Sequence, residues 1–100
     1  MIQALKNKML KMQAKRKILN AFVEAVEDAI YDSRQYGSSK GLSDAGMNSV
    51  LPMIIQSAVA NTSQYLKEGM VGNFEISKRE IDSLIDEAAK ETMNKYFKSK

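Results

Sequence analysis

Apolar residues recur at Ile2, Leu5, Met9, Met12, Leu19, Val23, Val26 and Ile30, at steps of 3, 4, 3, 7, 4, 3 and 4. Steps that alternate three and four keep side chains on one side of a 3.6-residue helix, whereas a strand of period two would scatter them over both faces. The spacing predicts one long helix over residues 2–35 with a heptad-like seam, interrupted where Arg16 takes a seam position. From Ile18 onward Phe22, Ala25 and Ala29 add a second apolar edge. The second half therefore reads as a core-facing helix and the first half as a narrower seam. Gly37 marks the expected stop, with Gly37-Ser38-Ser39-Lys40-Gly41 as a short connection.

A second helical segment opens at Ser43, whose hydroxyl suits an N-cap, with Asp44 in the first turn where the helix dipole favours a negative charge. Pro52 has no N–H and its ring crowds the preceding turn, so the segment is expected to split into residues 44–50 and 52–68, ending at Gly69. Ile55, Ala58, Val59, Thr62, Tyr65 and Leu66 share one face, and no charged residue occurs between Asp44 and Lys67. That pattern fits the most buried helix of a bundle, and loss of charge also fits a protein–protein face.

The third helix is signed at its start. Ser77-Lys78-Arg79-Glu80 is a capping box, and Ile76 and Ile81 stand where a hydrophobic staple needs them. Ile81, Leu84, Ile85, Ala88, Thr92, Tyr96 and Phe97 continue as a stripe. Asp86 with Lys90 and Glu91 with Lys95 are four-residue pairs in the favourable orientation, and Lys95, Lys98 and Lys100 complement the C-terminal dipole. Gly72-Asn73 is the expected turn before this helix. The fold class is all-α: three main helices in a bundle, the second split near Pro52, with an extended basic N-terminal helix.

Composition narrows function by what is missing. The chain has no Cys and no His, which removes thiolate and imidazole chemistry: no disulfide, no catalytic triad built on His, no zinc site of the usual ligands. A non-enzymatic chain without cofactor or metal is the expectation. The acidic residues of the third helix, Asp82, Asp86, Glu87 and Glu91, have lysines nearby and read as a solvated face rather than a metal site. No run of 18 apolar residues occurs, so no membrane-spanning segment is indicated, and no secretory h-region follows Met1. The expected location is cytoplasmic.

Charge singles out the N-terminus. Residues 1–17 carry Lys6, Lys8, Lys11, Lys15, Arg16 and Lys17 and no acid, or +6, against a net charge of +3 for the whole chain. A single domain over residues 1–100 is expected, with a basic helical arm over 1–17 on a mildly acidic body over 18–100. A helix of about 34 residues is about 51 Å long, and one of about 20 residues about 30 Å. The first helix should therefore overshoot its partners. Its seam of Ile2, Leu5, Met9 and Met12 would then stay exposed unless a second copy covers it, so a homo-oligomer is expected, a dimer before others.

Three partners suit the basic arm. Nucleic acid comes first, since Lys and Arg neutralise phosphates; the scarcity of Arg and the lack of aromatic residues before Phe22 predict little sequence specificity. Docking on a partner protein, or building an oligomer with no nucleic-acid role, comes next. A membrane-surface amphipathic helix is third, weakened by the absence of Trp or Phe in the arm. On all three, removing residues 1–17 is expected to spare the body.

Overall fold

The computed structural model describes residues 2–72 and 75–97. It contains three helices, α1 (Ile2–Ser39), α2 (Asp44–Gly69) and α3 (Lys78–Phe97), each packed against the other two. No strand occurs among the described residues. The chain is an all-α bundle.

Cross-helix contacts give the topology. Lys11 pairs with Glu80, Lys15 with Glu87 and Glu91, and the Tyr96 hydroxyl donates to Glu27 at 3.4 Å, so positions advance together along α1 and α3. These two helices run parallel. α2 returns between their ends: Met47 near its start lies beside Gly37, and Lys67 near its end pairs with Asp86 at 2.6 Å. The arrangement is up, down, up.

The core is formed by Ile18, Phe22 and Val26 from α1, Ile55 and Val59 from α2, Ile81, Ile85 and Ala88 from α3, and Ile76 just before α3. Leu10, Ala14, Leu19 and Ile30 pack on it from α1. The innermost line on α1 is thus Leu10, Ala14, Ile18, Phe22, Val26 and Ile30, a row of four-residue steps rather than the expected heptad row. Each such step turns about 40° further around the helix. α1 consequently buries one side near Leu10 and another near Ile30. This leaves Ile2, Leu5, Met9 and Met12 on the outside, while Leu19, Val26 and Ile30 of the expected seam belong to the core or pack on it.

The end of α1 lies beyond the expected Gly37. The helix continues to Ser39 and stops where Gly41 adopts a φ of +80°, a conformation that costs a side-chain-bearing residue its Cβ clearance. The Leu42 N–H then donates to the Gly37 carbonyl at 2.8 Å, closing a Schellman-type cap. Gly37 itself is buried under Leu42 and Met47, each 3.2 Å from where a Cβ would stand. Its role is close approach, not termination.

α2 is one helix, not two: Pro52 lies inside it. Proline removes the bond to the Asn48 carbonyl, but both residues are exposed, so water can serve that carbonyl. Burial of Met47 before the proline and of Ile55 and Val59 after it ties the two parts to the same core side. Ser43 caps the start, accepting from the Gly46 N–H at 3.1 Å. α2 is also less buried than its lack of charge suggests, with Val50, Met53 and Tyr65 exposed.

α3 begins as its residues require. The Ser77 hydroxyl accepts from the Glu80 N–H at 3.2 Å while the Glu80 carboxylate accepts from the Ser77 N–H at 3.3 Å. Ile76 and Ile81 are both buried beside this box. Buried Thr92 satisfies its hydroxyl by donating to the Ala88 carbonyl at 2.8 Å. Asn73 of the expected turn, and Lys98 and Lys100, lie outside the described residues.

The molecule is long and flat, 59 × 31 × 16 Å with a radius of gyration of 16.6 Å, against about 13 Å for an evenly compact chain of this length. The long axis matches the 38 residues of α1.

Candidate functional site

The six basic residues expected to form one arm fall into two groups. Lys6 pairs with Glu75 at 3.6 Å, Lys11 with Glu80, and Lys15 with Glu87 at 3.1 Å and Glu91 at 2.9 Å. Lys6 reaches the residues before α3, Lys11 its first turn and Lys15 its middle turns. The carboxylates beside Lys15 hold its ammonium above the ordinary lysine range, Glu91 more than Glu87. The Lys11 ammonium, and after it the Ser77 N–H, hold the Glu80 carboxyl below the ordinary range. Lys8, Arg16 and Lys17 form no ion pair among the described residues and are exposed.

The acidic side of α3 is engaged in the same way. Asp82 pairs with Lys78, whose ammonium also donates to the Lys67 carbonyl at 2.7 Å, and Asp86 pairs with Lys67. Asp86 and Glu91 therefore bond across helices rather than to Lys90 and Lys95. Among the described residues, no three acidic side chains are grouped so as to hold a metal ion.

The apolar seam lies opposite the core. Ile2 is 84% exposed, Leu5 62%, Met9 53% and Met12 60%. A run of large apolar side chains this open, over three turns of one helix, is not normal for a monomer surface. Met9, Met12, Gln13 and Arg16 border a shallow depression on this side. Further along the outer side Asn20, Glu24, Asp28 and Tyr31 are exposed, Tyr31 by 63%. Glu24, Asp28 and Asp32 have no ion-pair partner among the described residues. The outer side of α1 is thus apolar and basic at one end and acidic with an aromatic residue at the other.

A second surface has no counterpart in the sequence reading. α3 ends near the level of Glu27, where Tyr96 meets it, so the last turns of α1 and the first of α2 extend as a two-helix hairpin. Burial, and then the nearby Glu27 carboxylate, push the Tyr96 hydroxyl above its ordinary range at this boundary. Beyond it an open groove of 690 Å³ is lined by Tyr36, Leu42, Met47, Val50 and Ile54, with Asp32 and Lys40 also contributing. Its sequence signal was the coincidence of a charge-free stretch in α2 with large apolar residues flanking the Gly37–Gly41 connection.

The fold and these surfaces define a small helical bundle with unpartnered apolar faces. No protein-family model matches the chain, and no curated protein or solved structure matches it. No helix among the described residues is long and apolar enough to cross a membrane.

Proposed function

We propose that the chain is a non-enzymatic interaction module that self-associates through the outer side of α1, working in the cytoplasm. The observation that carries this is the open row of Ile2, Leu5, Met9 and Met12, the least exposed of which keeps 53% of its surface in solvent. Burying such a row against a second copy returns roughly 25 cal/mol for each Å² of apolar surface removed from water. Closed two-fold pairing covers it on both copies at once.

Nucleic-acid binding takes second place. Lys6, Lys11 and Lys15 have partners on the protein itself, which leaves Lys8, Arg16 and Lys17 for phosphates. Successive 100° steps spread these three over about 180° of the helix, so they do not share one face. Three phosphate contacts correspond to a slope of about −3 in log affinity against log salt.

Two titrations separate the readings. In sedimentation velocity at micromolar concentration the intact chain should run as an oligomer, and a Leu5→Ser, Met9→Ser variant as a monomer. An intact chain that stays monomeric removes the self-association reading. Binding of a fluorescent DNA duplex at two salt concentrations tests the other reading. A salt-dependent affinity lost in Lys8→Glu, Arg16→Glu, Lys17→Glu would favour nucleic acid instead.

A further inference from the structure

α1 segregates its unpaired charge by sign. Its N-terminal half offers Lys8, Arg16 and Lys17, and its C-terminal half Glu24, Asp28 and Asp32, with only Arg34 of opposite sign beyond them. Charges of one sign at one end and the other sign at the other end complement each other when two such helices lie antiparallel, and repel when they lie parallel.

The faces agree with the charges. Met9, Arg16, Asn20, Glu24 and Tyr31 are all exposed and, at 100° per residue, fall within about 80° of arc. We propose that the partner of this face is a second copy of the chain, paired antiparallel through α1 and centred on Asn20. This deepens the self-association reading and rests on it.

In that register Arg16 of one copy faces Glu24 of the other, and Met9 faces Tyr31, both twice by symmetry. The Met9 thioether against the Tyr31 ring is a favourable sulfur–aromatic contact. Asn20 faces its own equivalent, and a side-chain amide can donate and accept at once, so two copies satisfy each other across the axis. A single polar residue at the seam fixes register in paired helices. Lys17 and Asp28 lie on one flank, and an antiparallel two-fold axis brings like flanks together. Arg34 falls near Lys6, whose charge Glu75 already counters.

The absence of Cys from the chain makes the geometry directly testable by disulfide trapping. In an antiparallel pair Asn20→Cys should cross-link to itself under mild oxidation. Met9→Cys should cross-link to Tyr31→Cys in a mixture but not to itself, because two copies of position 9 would stand about 33 Å apart. Self-linking of Met9→Cys at a yield equal to the mixture would overturn the orientation. So would an intact chain that sediments as a dimer while Asn20→Cys stays unlinked, an outcome that leaves self-association standing. A monomeric intact chain overturns both.

Charge exchange gives an independent reading. Arg16→Glu, Lys17→Glu and, separately, Glu24→Lys, Asp28→Lys should each weaken self-association at least tenfold. Mixing the two variants should restore it, because the mixed pair regains both charged contacts, one as in the intact chain and one with its charges exchanged. All four positions are exposed, and helical circular dichroism should match the intact chain. Undiminished dimers in either variant alone would contradict the charge pairing.

Discussion

Phe22 is the largest side chain with no exposed surface, in a core to which all three helices contribute, so the fold rests on it more than on any other side chain. Phe22→Ala should cost about 3–5 kcal/mol in denaturant unfolding, since the cavity left behind cannot collapse between three helices. Gly72 makes a different kind of demand. A Cβ there would collide with the backbone at Ser77 and Lys78, whereas one at Gly69 would meet open space. Gly72→Ala should therefore lower stability by about 1–3 kcal/mol, by the same unfolding measurement, while Gly69→Ala is tolerated. The sequence showed the residue-level caps at Ser43 and Ser77 in full, because a cap is made by neighbours in the chain. It did not show which lysines are engaged, because the partners of Lys11 and Lys15 come from a helix more than 60 residues away.

Among the elements, α3 was the most legible and α1 the least. The capping box and staple of α3 are local chemistry, and the structure has both. The exposed row at the start of α1 and its core-facing second half follow from the spacing, but the inner line through Leu10 and Ala14 does not, because a winding contact line has no fixed sequence period. Pro52 misled for a related reason: the loss of one hydrogen bond is a local cost, and burial of Met47, Ile55 and Val59 on either side outweighs it. Packing along α1 starts at Leu10, inside the segment expected as a separable arm. Deleting residues 1–17 removes Leu10, Ala14 and the three lysines that hold α3. The expected result is a lower thermal midpoint and earlier denaturant unfolding rather than a spared body.

The α1–α3 pairing also sets a pH profile. Glu80 is held below its ordinary value, so its contribution is complete above the unfolded carboxylate range, near pH 4, and is lost as pH falls through the lowered value. Lys15, and Lys67 beside Asp86, are held above theirs, so their contributions are complete below about pH 10 and are lost as pH rises through the raised values. Thermal midpoints should be flat between these limits and fall on both sides. Glu80→Gln keeps a side chain able to complete the capping box but removes the charge. It should flatten the acid side and leave the alkaline side unchanged.

At the scale of the whole molecule, a bundle 59 Å long and 16 Å thick has too little interior for its apolar residues, and the excess lies outward on α1 and along the hairpin groove. The all-α architecture was legible because helical periodicity is strong in every segment. The flatness was not, since it follows from how the helices cross and from α3 being shorter than the other two. Self-association through α1 is read out by sedimentation velocity over a micromolar dilution series. The expected result is a species of twice the 11.2 kDa chain mass that gives way to single chains on dilution and in the Leu5→Ser, Met9→Ser variant. A single 11.2 kDa species at every concentration would contradict it.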